Sequence, residues 1–200
     1  MDRMLGLLLV SAVVVLWVVA GRYLHDGRWR VGPAALAVAV LLFAAHEVWW
    51  WRHESRYAEV TAAIHGGDGQ FACERITRGF FSSRGFVGHV EFDATGAPLG
   101  PAFLAWDTCS GLRRWSADGD PADLGAIMAA HALVHEAAHL AGVVDEGAAE
   151  CLALTHDQAV WMRLGATEEA ARAAFDRYLT EVRPRMPTAY VTECPASKAA

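Results

Sequence analysis

The chain has 200 residues, 54% of them hydrophobic and only 20% charged, with a formal net charge of −6 at neutral pH; this is too apolar for a disordered chain. Residues 1–56 carry six arginines against four acidic side chains, whereas residues 57–200 carry 11 basic against 19 acidic ones. An acidic domain of that kind offers no basic face to a phosphate backbone, so no nucleic-acid partner is expected, and its length is enough to bury a core.

Met4 to Ala20 is 17 residues without a charge, about 25 Å as a helix, the short end of a bilayer span. A signal peptide is the alternative for this stretch, but Val18 suits the small-x-small cleavage pattern poorly. A second apolar stretch, Pro33 to Trp51, ends on Trp49, Trp50 and Trp51 as an aromatic belt would. The expectation is a membrane anchor over 1–56 with two transmembrane helices, about 4–20 and 33–51, and the lipid bilayer as partner. Arg22, Arg28 and Arg30 in the short connection outnumber Arg3 in the tail, which places the connection inside. The protein is then a multi-pass cell-membrane protein whose domain 57–200 is extracytoplasmic.

Cys73, Cys109, Cys151 and Cys194 all follow the apolar stretches, with no CxxC among them. An even count in an exterior domain suits two disulfides. Of the three pairings, Cys73 with Cys109 and Cys151 with Cys194 are expected: the first pair flanks the strand region, and the second ties the C-terminal tail to the helix carrying Glu146 and Glu150.

After Trp51 comes a charged, helix-like stretch, 52–64, and a turn at HGGDGQ. From Phe71 to Leu112 the texture is Gly, Phe and Val, and RGFVGHVEFDATGAPLG alternates apolar and polar residues into a glycine turn, which reads as a β-hairpin. His89 falls on the hairpin's solvated face. From Pro121 three helices follow. Asp120 or Asp123 caps the first, which stops near Gly142; Asp145 caps the second, ending near Gly165; Thr167 starts the third, which Pro184 and Pro187 end. A turn of about three residues makes the first two antiparallel. The fold class is therefore mainly α with a short β-hairpin (α+β).

The chemistry lies in that helical hairpin. His135, Glu136 and His139 form HExxH. Histidines four apart share one helical face, a spacing at which two imidazoles can hold a tetrahedral Zn2+, and Glu136 is placed to take a proton from the attacking water. Three carboxylates compete for the third ligand position. Asp145 completes HExxHxxGxxD with Gly142, Glu146 opens an ExxAE run, and Glu150 is favoured by the register of the hairpin. His131, one turn before His135, reads as a neighbour in the same polar stripe. His156 reads as a surface residue and Met186 as packing; Tyr178 and Tyr190 are the tyrosines that follow the site.

HEAAHLAGVVDEGAAECLAL resembles the gluzincin-type HExxH zinc metallopeptidases, whose membrane-bound members carry an ExxA[DE] motif on a later helix. The resemblance implies a small zincin-like helical domain with His135, His139 and Glu146 as zinc ligands and Glu136 as general base. Glu150 stands where the family has an acidic residue that orients a ligand. The segment also resembles uncharacterised bacterial membrane proteins carrying HExxHLxG, DExxxEC and a C-terminal cysteine. Only six residues, 140–145, separate His139 from Glu146, far fewer than in gluzincins. The expected function is zinc-dependent hydrolysis of a peptide or protein substrate; the alternative is a non-catalytic zinc-binding or disulfide-stapled surface interaction domain.

Overall fold

The computed structural model describes residues 11, 14, 15, 17, 21, 31–74, 87–191, 193 and 194. The chain divides into two compact units, Met1–His53 and Glu54–Ala200.

Helix α1, Val31–His65, is continuous through both the apolar stretch and the charged stretch that follows it. The membrane placement is corrected here: among the described residues, no helix is long and apolar enough to cross a membrane. The uninterrupted apolar run, Ala34 to Ala45, spans roughly 18 Å as a helix, against about 30 Å of hydrocarbon. It leads directly into His46 and Glu47 and then Arg52, His53 and Glu54. The multi-pass assignment and the arginine-based orientation fall with it. The other expected span, 4–20, lies almost wholly outside the described residues.

The second unit is α+β. Three short strands, β1 (Phe71–Cys73), β2 (Gly88–His89) and β3 (Ala102–Leu104), form a sheet in the order β1-β3-β2. The expected hairpin is present: β2 pairs antiparallel with β3, Phe92 bridges Pro98, and the Asp93 carboxylate accepts from the Thr95 and Ala97 amides to close the turn. The third strand was not expected. β1 joins β3 in parallel, with Phe71 opposite Ala102 and Cys73 opposite Leu104.

Helix α2, Trp106–Asp118, was not expected; its first seven residues fall at the end of the Gly, Phe and Val stretch that closes at Leu112. Thr108, Cys109, Leu112 and Trp115 are buried along one face of it at helical spacing. The next three helices follow the caps named in the sequence. Asp123 accepts from the Ala126 amide at the start of α3 (Leu124–Leu140), Asp145 from Ala148 at α4 (Glu146–Leu164), and Thr167 from Ala170 at α5 (Glu168–Arg177). A π turn, Tyr178–Val182, and a 3₁₀ turn, Arg183–Arg185, finish the helical region where the prolines stop it.

Helix α3 is the centre of the packing, buried without a break from Ala129 to Leu140. Its small side chains let the neighbours approach closely: a Cβ added at Gly111 on α2 would meet the Ala129 Cβ at 2.6 Å. Leu112, Trp115, Ile127, Leu133, Trp161 and Leu164 are completely buried around it. Each contributes on the order of 1.5–3 kcal/mol of burial. The latter part of α1 joins through Arg56, which donates to the Leu164 carbonyl at 2.8 Å and so satisfies an orphan acceptor at the end of α4. The two expected disulfides are present, Cys73–Cys109 joining β1 to α2 and Cys151–Cys194 joining α4 to the tail.

Candidate metal centre

α3 and α4 run antiparallel, as the pairing of His135 with Glu146 and of His131 with Glu150 requires. Residues 141–145 connect them, two more than expected, and Gly142 takes φ +88, a left-handed conformation open to glycine. That connection sets which residues of the two helices stand at the same height.

Among the described residues, two groups able to hold a metal ion result, His135–His139–Glu146 and His131–His135–Glu150. In the first, His135 Nε2 lies 3.0 Å from Glu146 Oε2 and 3.1 Å from His139 Nε2, and His139 Nε2 lies 3.3 Å from Glu146 Oε2. Three donors around a tetrahedral ion with bonds of about 2.0–2.1 Å stand about 3.3 Å apart, so this triangle is close to one face of such a site. His139 Nδ1 donates to the Val143 carbonyl at 2.6 Å, which leaves its Nε2 lone pair facing the other two donors. Both histidines are buried, at 5% exposure each, while the Glu146 side chain is 43% exposed and marks the open side. Phe92 lies edge-on to His139, with ring centres 5.8 Å apart.

The second group is fully enclosed and already paired. His131 Nδ1 is 2.9 Å from Asp157 Oδ2 and His131 Nε2 is 2.9 Å from Glu150 Oε2. Burial alone would push the proton off His131, but Asp157 and Glu150 override it and raise the imidazole to about 9. Glu150 also accepts from the Tyr178 hydroxyl at 3.1 Å and from Arg183 Nε at 3.2 Å. Burial opposes its charge, yet the His131 and Tyr178 hydrogen bonds hold the carboxyl well below the usual range. Burial pushes Asp157 up to about 6, with His131 opposing. At neutral pH the set is a carboxylate–imidazolium–carboxylate chain closed by Arg183. Glu150 Oε2 lies 3.7 Å from His135 Nδ1, too long for a hydrogen bond, and that buried nitrogen has no hydrogen-bond partner among the described residues.

Glu136 is buried at 5% exposure, and its Oε2 has no hydrogen-bond partner among the described residues. Burial, opposed by His135 and reinforced by the Glu146 charge, pushes its carboxyl up to about 7. Strand β2 presses on it: a Cβ at Gly88 would stand 2.7 Å from Glu136 Cγ.

Of the three carboxylates proposed from sequence, Glu146 faces the histidine pair, Glu150 stands behind His135, and Asp145 is an exposed helix cap. Tyr190 reaches the group, its ring 5.3 Å from that of His135, whereas Tyr178 is buried against His131 at 4.0 Å. His156 is half-buried and Met186 follows the 3₁₀ turn. Asp157 and Arg183 were missed. Asp157 was findable, since it lies seven residues after Glu150 and hence on the same face of α4; Arg183 carried no local signal. No protein-family model, curated protein or solved structure matches this chain.

Proposed function

We propose that the protein is a zinc-dependent metallopeptidase, with His135, His139 and Glu146 holding the ion and Glu136 acting as general base. The observation that carries this reading is the triangle of His135, His139 and Glu146 donor atoms, 3.0–3.3 Å on a side, beside a buried carboxyl with an unpartnered oxygen. The donor set fits zinc: two imidazole nitrogens and one carboxylate, the carboxylate being on the exposed side. A zinc ion held there would supply Lewis acidity.

The chain's own residues supply the rest. Glu136 accepts the proton of the attacking water at its free Oε2 and returns it to the departing amine, a transfer worth about 10²- to 10⁴-fold in rate. Its raised proton affinity keeps it close to the range where it can both take and give a proton. Glu150, held in place by His131, Tyr178 and Arg183, presents a fixed negative charge to His135 Nδ1 and so favours a lone pair at Nε2.

A non-catalytic metal-binding domain is the rival, favoured by Tyr190, whose ring covers part of His135. Metal analysis and peptide hydrolysis by the full chain separate the two. Alanine at His135 or His139 is expected to abolish stoichiometric zinc. Glu136→Gln is expected to retain zinc and lose hydrolysis; a zinc-loaded chain indifferent to Glu136→Gln in every peptide assay would establish the rival.

A further inference from the structure

The segment after the 3₁₀ turn has little apolar burial to hold it. Pro187, Thr188, Ala189, Val191 and Glu193 are exposed, whereas Tyr190 and Cys194 turn inward. Both inward residues engage the metal-ligating helix pair. The Tyr190 ring lies 5.3 Å from that of His135 and tilted 39° to it. Four residues later Cys194 is bonded to Cys151, the residue after Glu150 on α4. The two disulfides differ in access. Cys73 and Cys109 are 5% and 0% exposed, while Cys151 and Cys194 are each half-buried. A reductant therefore meets Cys151–Cys194 first.

We propose that this segment is a redox-releasable strap over the metal centre: the Cys151–Cys194 disulfide holds Tyr190 against His135, and reduction of that bond opens the centre. The inference rests on the metal site proposed above. The reductant is a dithiol. One of its thiolates attacks a sulfur of the bridge, its second thiol resolves the mixed disulfide, and the two electrons and two protons it gives up leave Cys151 and Cys194 as thiols and the reagent as its own disulfide. Tyr190 then covers His135, and the disulfide four residues later tethers it there.

The full chain loaded with cobalt(II) provides the test, because metal loss to a chelator reads access to the site without any substrate. After brief treatment with a dithiol and alkylation of the two released thiols, removal of cobalt is expected to be about tenfold faster, the size of effect usual for an outer partner of a metal ligand. Tyr190→Phe in the oxidised chain is expected to shift the visible cobalt spectrum while leaving both disulfides intact. Nitration of Tyr190 by tetranitromethane, mapped by mass, needs no metal and is expected to be several-fold faster in C151S/C194S than in the native chain. An unchanged removal rate in a chain that binds cobalt would overturn the strap. A chain that binds no cobalt would overturn the metal site instead, and unchanged nitration would then overturn the strap as well.

Discussion

Glu150 shows how a single buried charge is made tolerable. It is completely buried, and it survives there because His131, Tyr178 and Arg183 all point donors at it. Glu150→Ala leaves the His131 imidazolium and Arg183 facing an empty cavity, so it is expected to cost about 3–5 kcal/mol of stability, read from urea unfolding. Gly88 answers to a different pressure, space rather than charge. Its φ is unremarkable, but a Cβ would enter the volume of Glu136 Cγ. Gly88→Ala is expected to destabilise by about 1–3 kcal/mol through overpacking. It is also expected to displace Glu136 while the histidine pair keeps its metal, so that zinc content stays stoichiometric and peptide hydrolysis falls.

At the scale of the element, capping sets where α3 and α4 begin and hence which side chains meet. Asp123 caps α3 and is bound by Arg114 Nε at 2.7 Å. The Arg114 hydrogen bond and the Ala126 amide hold its carboxyl below the ordinary value. A depressed carboxyl stabilises the fold above its unfolded pKa and ceases to do so as the pH falls through its folded one. Asp123→Ala is therefore expected to cost about 1 kcal/mol near neutral pH, a difference from the native chain that shrinks in acid. Urea unfolding of both chains at about pH 7 and about pH 3 checks it. Asp145→Ala at the α4 cap is expected to cost a similar amount, about 1 kcal/mol, and to leave zinc binding intact, which elemental analysis would show. Loss of the metal in that variant would instead make Asp145 a ligand.

For the whole molecule, the disulfides tie the smaller pieces to the helical centre. Cys73–Cys109 closes a separation of 36 residues between β1 and α2, and the stretch between them includes the hairpin that presses on Glu136. Chain entropy credits a loop of that size with about 4 kcal/mol. C73S/C109S is expected to lose most of that stability, with a lower thermal midpoint and weaker hydrolysis, since β2 then has one anchor fewer. The two candidate metal groups meet at His135, one through each ring nitrogen. The enclosed network of His131, Asp157 and Glu150 thus serves as a rigid backing for the open group.

Contiguous residues encode the local features of this fold. The caps at Asp123, Asp145 and Thr167, the histidines one turn apart on α3 and the glycine turn of the hairpin are all local, because propensity, capping and i,i+4 spacing act within a few residues. The disulfide pairing was also legible, since four cysteines bracket two separate regions. Apolar composition, by contrast, misled: a run of alanine-rich residues followed by aromatics suggested a membrane span, and only the continuity of α1 into charged residues shows that the run is too short for one. Helix α2 was hidden because its buried face is assembled from Thr, Cys, Leu and Trp, which local propensity also offers to strands. Tertiary structure alone decided which carboxylate faces the histidines. That choice depends on the height at which α3 and α4 pass each other, which the five-residue connection and Gly142 set, and a shift of one turn would have put Glu150 where Glu146 stands. Tyr190 reaches His135 from 55 residues away and Arg183 reaches Glu150 from 33, and no periodicity within a sequence window specifies a contact whose geometry is fixed only when three helices have packed.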